Sequence, residues 1–196
     1  FIIEKNFIKE KLKRRNKFGH KGDYGRVLVI AGSQGFTGAA YICTQGAVRS
    51  GAGLVTLGCY KNIQPVLSSK LVEGMTIQLE DDSKLQKAIE KSDAIAIGPG
   101  MGVNDRTLNM VDRILNVSKK NVVIDADGIN VLMGNLHILK NKKCGVILTP
   151  HLGEMARITG FDIQYIEKNR IKVARDFAAE NEVIVLLKGY NTIITD

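Results

Sequence analysis

The stretch ILTPHLGEMARITG, residues 147–160, sets His151 directly after Pro150 and Glu154 three residues further on, in a chain with three histidines and three prolines. An imidazole beside a carboxylate can move protons, read a polar ligand or, as H-x-x-E, bind zinc. Pro150 suits the first turn of a helix, where no hydrogen bond is lost, and Glu154 faces that helix's positive end. Those roles leave His151 unexplained, its ring at the mouth of a cleft. Zinc needs a third ligand, and His20 belongs to a basic arm while His137 lies in a different loop. No third ligand is evident, which argues against a metal triad.

Four other stretches carry chemical options. IDADGIN places Asp125 and Asp127 at the end of an apolar run. There a carboxylate can hold Mg²⁺, bond a ribose hydroxyl or act as a base, and one of the two is expected to cap the next helix. GPGMG, with Gly98, Gly100 and Gly102, is either a plain turn or a nest of outward N–H groups for a phosphate or carboxamide. AGSQGFTGAA spaces Gly32, Gly35 and Gly38 as G-x-x-G-x-x-G, with Ala39 and Ala40 behind them. That is neither the G-x-G-x-x-G dinucleotide fingerprint nor a P-loop; it is a tight turn, or one that lets a flat ligand approach the backbone. LLKGYNTIITD sets Lys188, Gly189, Tyr190, Asn191 and Thr192 between two extended runs, offering an amide and an ammonium to a nucleotide phosphate, or forming a hairpin with a solvated lysine.

The elements that must hold these residues alternate. RVLVIAG, GLVTLGC, AIAIGPG, NVVIDAD, GVILTP and EVIVLLKG read as short strands, each followed by an amphipathic or small-residue stretch. In residues 105–120, Leu108, Val111, Ile114 and Leu115 fall on one helical face. A long helix is expected around 164–181. Near-continuous apolar strands with helical crossovers imply a parallel sheet covered on both faces. In such a sheet, ligands bind where strands end and helices begin, and every unusual motif falls at such a place.

Composition removes other classes. A hydrophobic fraction of 44% and a charged fraction of 24% over 196 residues describe one ordinary globular domain. No apolar run approaches the ~20 residues that span a bilayer, and the N-terminal stretch is too charged for a secretory signal, so a cytoplasmic protein without a membrane partner is expected. Cys43, Cys59 and Cys144 are odd in number and scattered, which excludes a disulfide framework. The net charge of +8 gathers before Val27, in Lys5, Lys9, Lys11, Lys13, Arg14, Arg15, Lys17 and Lys21. Sparse aromatic residues argue against nucleic acid, while the basic balance favours anionic ligands such as nucleotides.

Taken in order, HKGDYGRVLVIAGSQGFTGAA, AVRSGAGLVTL, AIAIGPGMG, VVIDADGIN, ILTPHLGEMARITG and VIVLLKGYNTII resemble the ADP/ATP-dependent NAD(P)H-hydrate dehydratases of the ribokinase-like superfamily. The resemblance runs from about His20 to the end and implies an α/β, three-layer sandwich around a mainly parallel sheet. It implies a lyase that repairs hydrated NADH or NADPH: phosphoryl transfer from ATP or ADP, with Mg²⁺, turns a ring hydroxyl into a phosphate that departs. Ala39 or Ala40, Gly102 and His151 correspond to substrate contacts, and Asp125 and Asp127 are grouped with them. Lys188, Gly189, Tyr190, Asn191 and Thr192 correspond to the nucleotide segment, and Glu154 to an acid that supports Mg²⁺ indirectly. Residues 1–19 are similar to the linker that follows an epimerase domain in bifunctional members, and the family suggests a homo-oligomer, often a tetramer.

Leu152 stands where the dehydratases usually have proline. More consequentially, their glycine-rich G-T-G-D segment, which carries the general-base aspartate and the anion hole, has no counterpart here; the only Gly-Asp is Gly22-Asp23. The expectation is a dehydratase domain over 20–196 that stops before that segment, contains no catalytic residue of its own and turns over little alone. Two alternatives stand beside it: a ribokinase-like vitamin or small-alcohol kinase, against which His151 argues, and a non-catalytic nucleotide-binding module.

Overall fold

The computed structural model describes residues 2–12 and 14–196; Phe1 and Lys13, the latter among the N-terminal cations, lie outside the described residues. In chain order the elements are α1 (Lys5–Lys11), a 3₁₀ turn (Lys21–Tyr24), β1 (Arg26–Ile30), α2 (Thr37–Arg49), β2 (Leu54–Cys59), α3 (Gln64–Lys70), β3 (Met75–Gln78), α4 (Asp82–Lys91), β4 (Ala94–Ile97) and α5 (Asp105–Val117). There follow β5 (Val122–Ile124), α6 (Asp127–Asn130), α7 (His137–Lys140), β6 (Val146–Leu148), α8 (Leu152–Thr159), α9 (Ile163–Lys168), α10 (Arg170–Asn181), β7 (Ile184–Leu187) and β8 (Ile193–Thr195).

The strands form one sheet in the order β3-β2-β1-β4-β5-β6-β7-β8. All pairs are parallel except β7 with β8, which close an antiparallel hairpin through the Lys188–Thr192 turn. Strand growth runs one way from β1 to β3, then restarts beside β1 and runs the other way from β4 to β7. Right-handed crossovers in opposite directions put their helices on opposite faces.

The packing follows that rule. On one face, Val29, Ala31, Val55, Leu57 and Cys59 bury against Ala40 of α2 and Leu67 of α3. On the other, Leu28, Ile30, Ile95, Ile97, Val122, Ile124, Leu148 and Val185 bury against α4, α5, α8 and α10, including Val111, Ile114 and Leu115 at 0% exposure. The amphipathic reading of α5 is therefore borne out. Coverage of both faces is incomplete: Val123, Ile147 and Leu186, on the α2 side of β5, β6 and β7, are only half-buried.

Other local differences have physical causes. The helix expected over 164–181 breaks at Asn169, whose side chain donates to the Tyr165 carbonyl at 2.9 Å and competes with the helical backbone. Strand β3 gives little apolar signal because it is a half-exposed edge. Within the basic arm, α1 buries none of its residues, yet Arg15 stacks over the Tyr24 ring at 4.3 Å and donates to the Gly51 carbonyl. Among the described residues no helix is long and apolar enough to cross a membrane, and the three cysteines are unpaired.

Two outcomes follow. Leu115→Ala should lower unfolding free energy by about 2–5 kcal/mol in urea titrations, as expected for a fully enclosed leucine. Burial, and then the charge of Asp125 for Cys43 and of Glu80 for Cys59, push both thiols up to about 11. At pH 8 only about one in a thousand of these groups is thiolate, so alkylation of the native protein at both sites should be slow and should rise about tenfold per pH unit, while urea removes the protection.

Candidate active site

The carboxyl ends of β5, β6 and β7 are neighbours, so the residues that leave them meet. Asp125 follows β5, Thr149 follows β6 and Lys188 follows β7. Asp125 Oδ1 accepts from Thr149 Oγ1 at 2.7 Å and from Lys188 Nζ at 2.9 Å. Lys188 Nζ also lies 3.8 Å from Glu154 Oε2, and the Lys188 N–H donates to the Pro150 carbonyl at 2.7 Å. One ammonium thus joins two carboxylates from different loops.

Glu154 and His151 are linked by a reciprocal cap at the start of α8. Glu154 Oε2 accepts the His151 N–H at 2.8 Å, and His151 Nδ1 accepts the Glu154 N–H at 3.1 Å. With Nδ1 as acceptor, the ring proton belongs on Nε2, which lies 3.5 Å from Glu154 Oε1. The position of His151, which the roles of Pro150 and Glu154 left unexplained, has a structural reason: the imidazole is the N-cap. Its ring is still 55% exposed, while Glu154 is enclosed at 5%. Pro150 precedes the cap and does not enter the first turn. His151, Leu152, Gly153, Lys188 and Gly189 line a cavity of about 510 Å³.

The second carboxylate of IDADGIN faces the other way along the edge. Asp127 Oδ2 accepts the Gly102 N–H at 2.8 Å. Neither aspartate is an N-cap, contrary to expectation; that position is Ala126, with φ 53° and ψ −120° and no side-chain cap bond. Such a backbone costs about 1–3 kcal/mol for a residue with a Cβ, and it lies between the two carboxylates. Gly98 must be glycine here, because a Cβ would meet the Asp125 carbonyl at 2.0 Å.

The two glycine loops are stitched together. Gly32 N–H donates to the Pro99 carbonyl at 2.9 Å and Ser33 Oγ to the Gly100 carbonyl at 2.8 Å. Of the two alanines, Ala39 is half-buried, and a Cβ on Gly100 would come within 2.7 Å of its own. Ala40 is 0% exposed in the core and has no surface for a ligand.

Two sets of contacts result, Gly102 with Asp127 and Asp125 with Lys188, Glu154 and His151, joined only through the backbone at Ala126. In the hairpin turn, Gly189, Tyr190, Asn191 and Thr192 are exposed. Asn191 takes φ 58°, and Thr192 Oγ1 donates to the Gly189 carbonyl at 3.3 Å. Beneath them, Arg170 Nη1 donates to the Tyr190 carbonyl at 2.5 Å, while its Nε and Nη2 are buried without an acceptor. Arg170, Thr149 and Ala126 belong to this region and were not singled out by sequence. Thr149 and Ala126 lie within the flagged runs ILTPHLGEMARITG and IDADGIN, while Arg170 carried no local signal. Among the described residues no group of three His, Cys, Asp or Glu side chains could hold a metal ion.

A family model described as NAD(P)H-hydrate dehydratase matches residues 27–196. The chain is 37% identical to the ADP-dependent (S)-NAD(P)H-hydrate dehydratase of Staphylococcus aureus over 185 residues, covering 92% of this chain and 64% of that protein. It is 36% identical to the bifunctional NAD(P)H-hydrate repair enzyme Nnr of Moorella thermoacetica over 203 residues, covering 98% of this chain and 38% of that one. The chain thus spans less than two thirds of the length of these relatives. Among solved structures, the ADP/ATP-dependent NAD(P)H-hydrate dehydratase of Bacillus subtilis, co-crystallized with ATP/Mg²⁺, matches with a TM-score of 0.82 and 31% identity, over 97% of this chain and 67% of that one. A ribokinase-like superfamily protein of Enterococcus faecalis matches with a TM-score of 0.84 and 25% identity, over 98% and 67%. Fold, ordered motifs and family model agree: this chain belongs to the NAD(P)H-hydrate dehydratase family.

Proposed function

We propose that the protein restores hydrated NADH or NADPH by nucleotide-dependent dehydration. The observation that carries this reading is that Gly102, His151 and Lys188 follow β4, β6 and β7 at the carboxyl edge of one sheet, with Asp125 and Asp127 after β5 bonded to Lys188 and to the Gly102 amide. A bound ATP or ADP with Mg²⁺ would supply the phosphoryl group that converts the ring hydroxyl into departing phosphate; loss of a ring proton then completes the dihydropyridine. The protein's own part is positioning and charge neutralisation.

Gly102, Ala39 and the exposed His151 ring would contact the hydrated nicotinamide. Asp127 orients the Gly102 amide, and Asp125 acts through Lys188. The turn Lys188–Thr192 would hold the nucleotide phosphates. The two buried, acceptor-less N–H groups of Arg170 beneath that turn fit an anion-binding role for it. Glu154 is occupied by the α8 cap and Lys188, so it suits an outer contact to a nucleotide-borne Mg²⁺ and not direct ligation.

The G-T-G-D segment of the family has no counterpart in these 196 residues, so we assign the proton acceptor to none of them, and turnover requires protein containing that segment. We also read residues 1–19 as a linker, infer a fused epimerase domain from the bifunctional relatives, expect a homo-oligomer, and place the protein in the cytoplasm.

Full-length protein given hydrated NADH, Mg²⁺ and ATP or ADP should regenerate the near-ultraviolet absorbance of the reduced ring; recovery with neither nucleotide would refute the activity. A stable phosphorylated vitamin or small alcohol would instead support a kinase. In steady-state kinetics, Asp127→Ala, which frees the Gly102 amide, should reduce kcat/KM for the hydrate by about tenfold or more, with the nucleotide KM little changed. Glu154→Ala removes the reciprocal cap and should lower unfolding free energy by about 1–2 kcal/mol in urea titrations.

A further inference from the structure

The order in which strands are added reverses between β1 and β4, which are themselves parallel, and a crevice at such a point is where open α/β sheets take ligands. A cavity of about 950 Å³ lies there, walled by the loops after β1, β2, β3 and β4. It is nearly twice the size of the one beside His151. Its inner end is Ser33, which bonds the Gly100 carbonyl, and Met101, the neighbour of Gly102. The cavity thus borders the loop that carries Gly102, the residue assigned to the hydrated ring in the proposed function.

Its chemistry is that of a nucleoside phosphate site. Lys61 reaches it from the loop after β2 and Arg106 from the first turn of α5, and neither ammonium nor guanidinium has an ion pair or hydrogen bond among the described residues. The acids on the same wall are Glu80 and Asp105. Both Glu80 oxygens face the Lys61 N–H, at 3.0 and 3.2 Å, and Asp105 heads α5, where the helix's positive end favours it. The two cations therefore remain available to phosphate oxygens, while Asp105 can accept from a ribose hydroxyl. Tyr60 and Pro65 supply apolar wall.

We propose that this cavity binds the adenylate half of the dinucleotide substrate, with Lys61 and Arg106 pairing its phosphates. The inference rests on the dehydratase reading, and the experiment separates the two. In full-length protein, the double variant Lys61→Ala/Arg106→Ala should raise KM for hydrated NADH about tenfold or more, leave KM for ATP within about twofold, and leave KM for hydrated reduced nicotinamide mononucleotide unchanged. Calorimetric titration with ADP-ribose, with the donor site saturated by ATP and Mg²⁺, should show the same tenfold loss, with Lys61→Arg/Arg106→Lys restoring much of it. Equal losses for hydrated NADH and the mononucleotide, a raised KM for ATP alone, or unaltered ADP-ribose affinity would overturn the proposal. Absence of any dehydration alongside the predicted ADP-ribose loss would refute the dehydratase reading and leave the cavity assignment standing.

Discussion

The Lys188 ammonium is the constraint on which the site depends. It meets Asp125 at 2.9 Å and Glu154 at 3.8 Å, and these carboxylates come from the end of β5 and the first turn of α8. Glu154 is enclosed, so its charge needs partners; the His151 N–H, the His151 Nε2 at 3.5 Å and Lys188 supply them. Through that pairing the imidazole is fixed by a cap, the hairpin turn is fixed by the lysine's backbone bond to Pro150, and both arrive at the same edge.

Topology explains why so few residues suffice. Because β5, β6 and β7 are adjacent and parallel, their ends deliver Asp125, Thr149 and Lys188 side by side. Because the strand order reverses between β1 and β4, α2 and α5 leave for opposite faces, and the large cavity lies beside the two loops that Gly32 and Ser33 tie to Pro99 and Gly100. The glycine loops let backbone approach backbone, most tightly at Gly98 against the Asp125 carbonyl. Ala126 holds its positive φ between the two aspartates, so local strain is concentrated where opposite-facing carboxylates are required.

Much of this was legible from the chain. The strands that form the sheet centre, such as RVLVI and AIAI, are apolar runs, and their following glycine, aspartate and histidine motifs mark the sheet edge without knowledge of the pairing. What was not legible depended on partners remote in sequence. His151 reads as a lone ring until the Glu154 amide is seen to bond it. Ala39 and Ala40 are identical in type, and only packing beneath Gly32 separates the half-buried one from the enclosed one. Lys61 and Arg106 are ordinary surface cations until the strand order brings the loop after β2 and the start of α5 to one cavity. The half-covered face at Val123, Ile147 and Leu186 follows from crossover direction, which periodicity does not encode.

The most direct test is a double-mutant cycle on Asp125→Asn and Lys188→Met, read as unfolding free energy in urea at low salt. The account predicts a coupling of at least about 0.5 kcal/mol that shrinks as salt is added. Losses that add to within about 0.3 kcal/mol would mean that Lys188 does not bind these loops together, and the site assembled around it would have no physical basis.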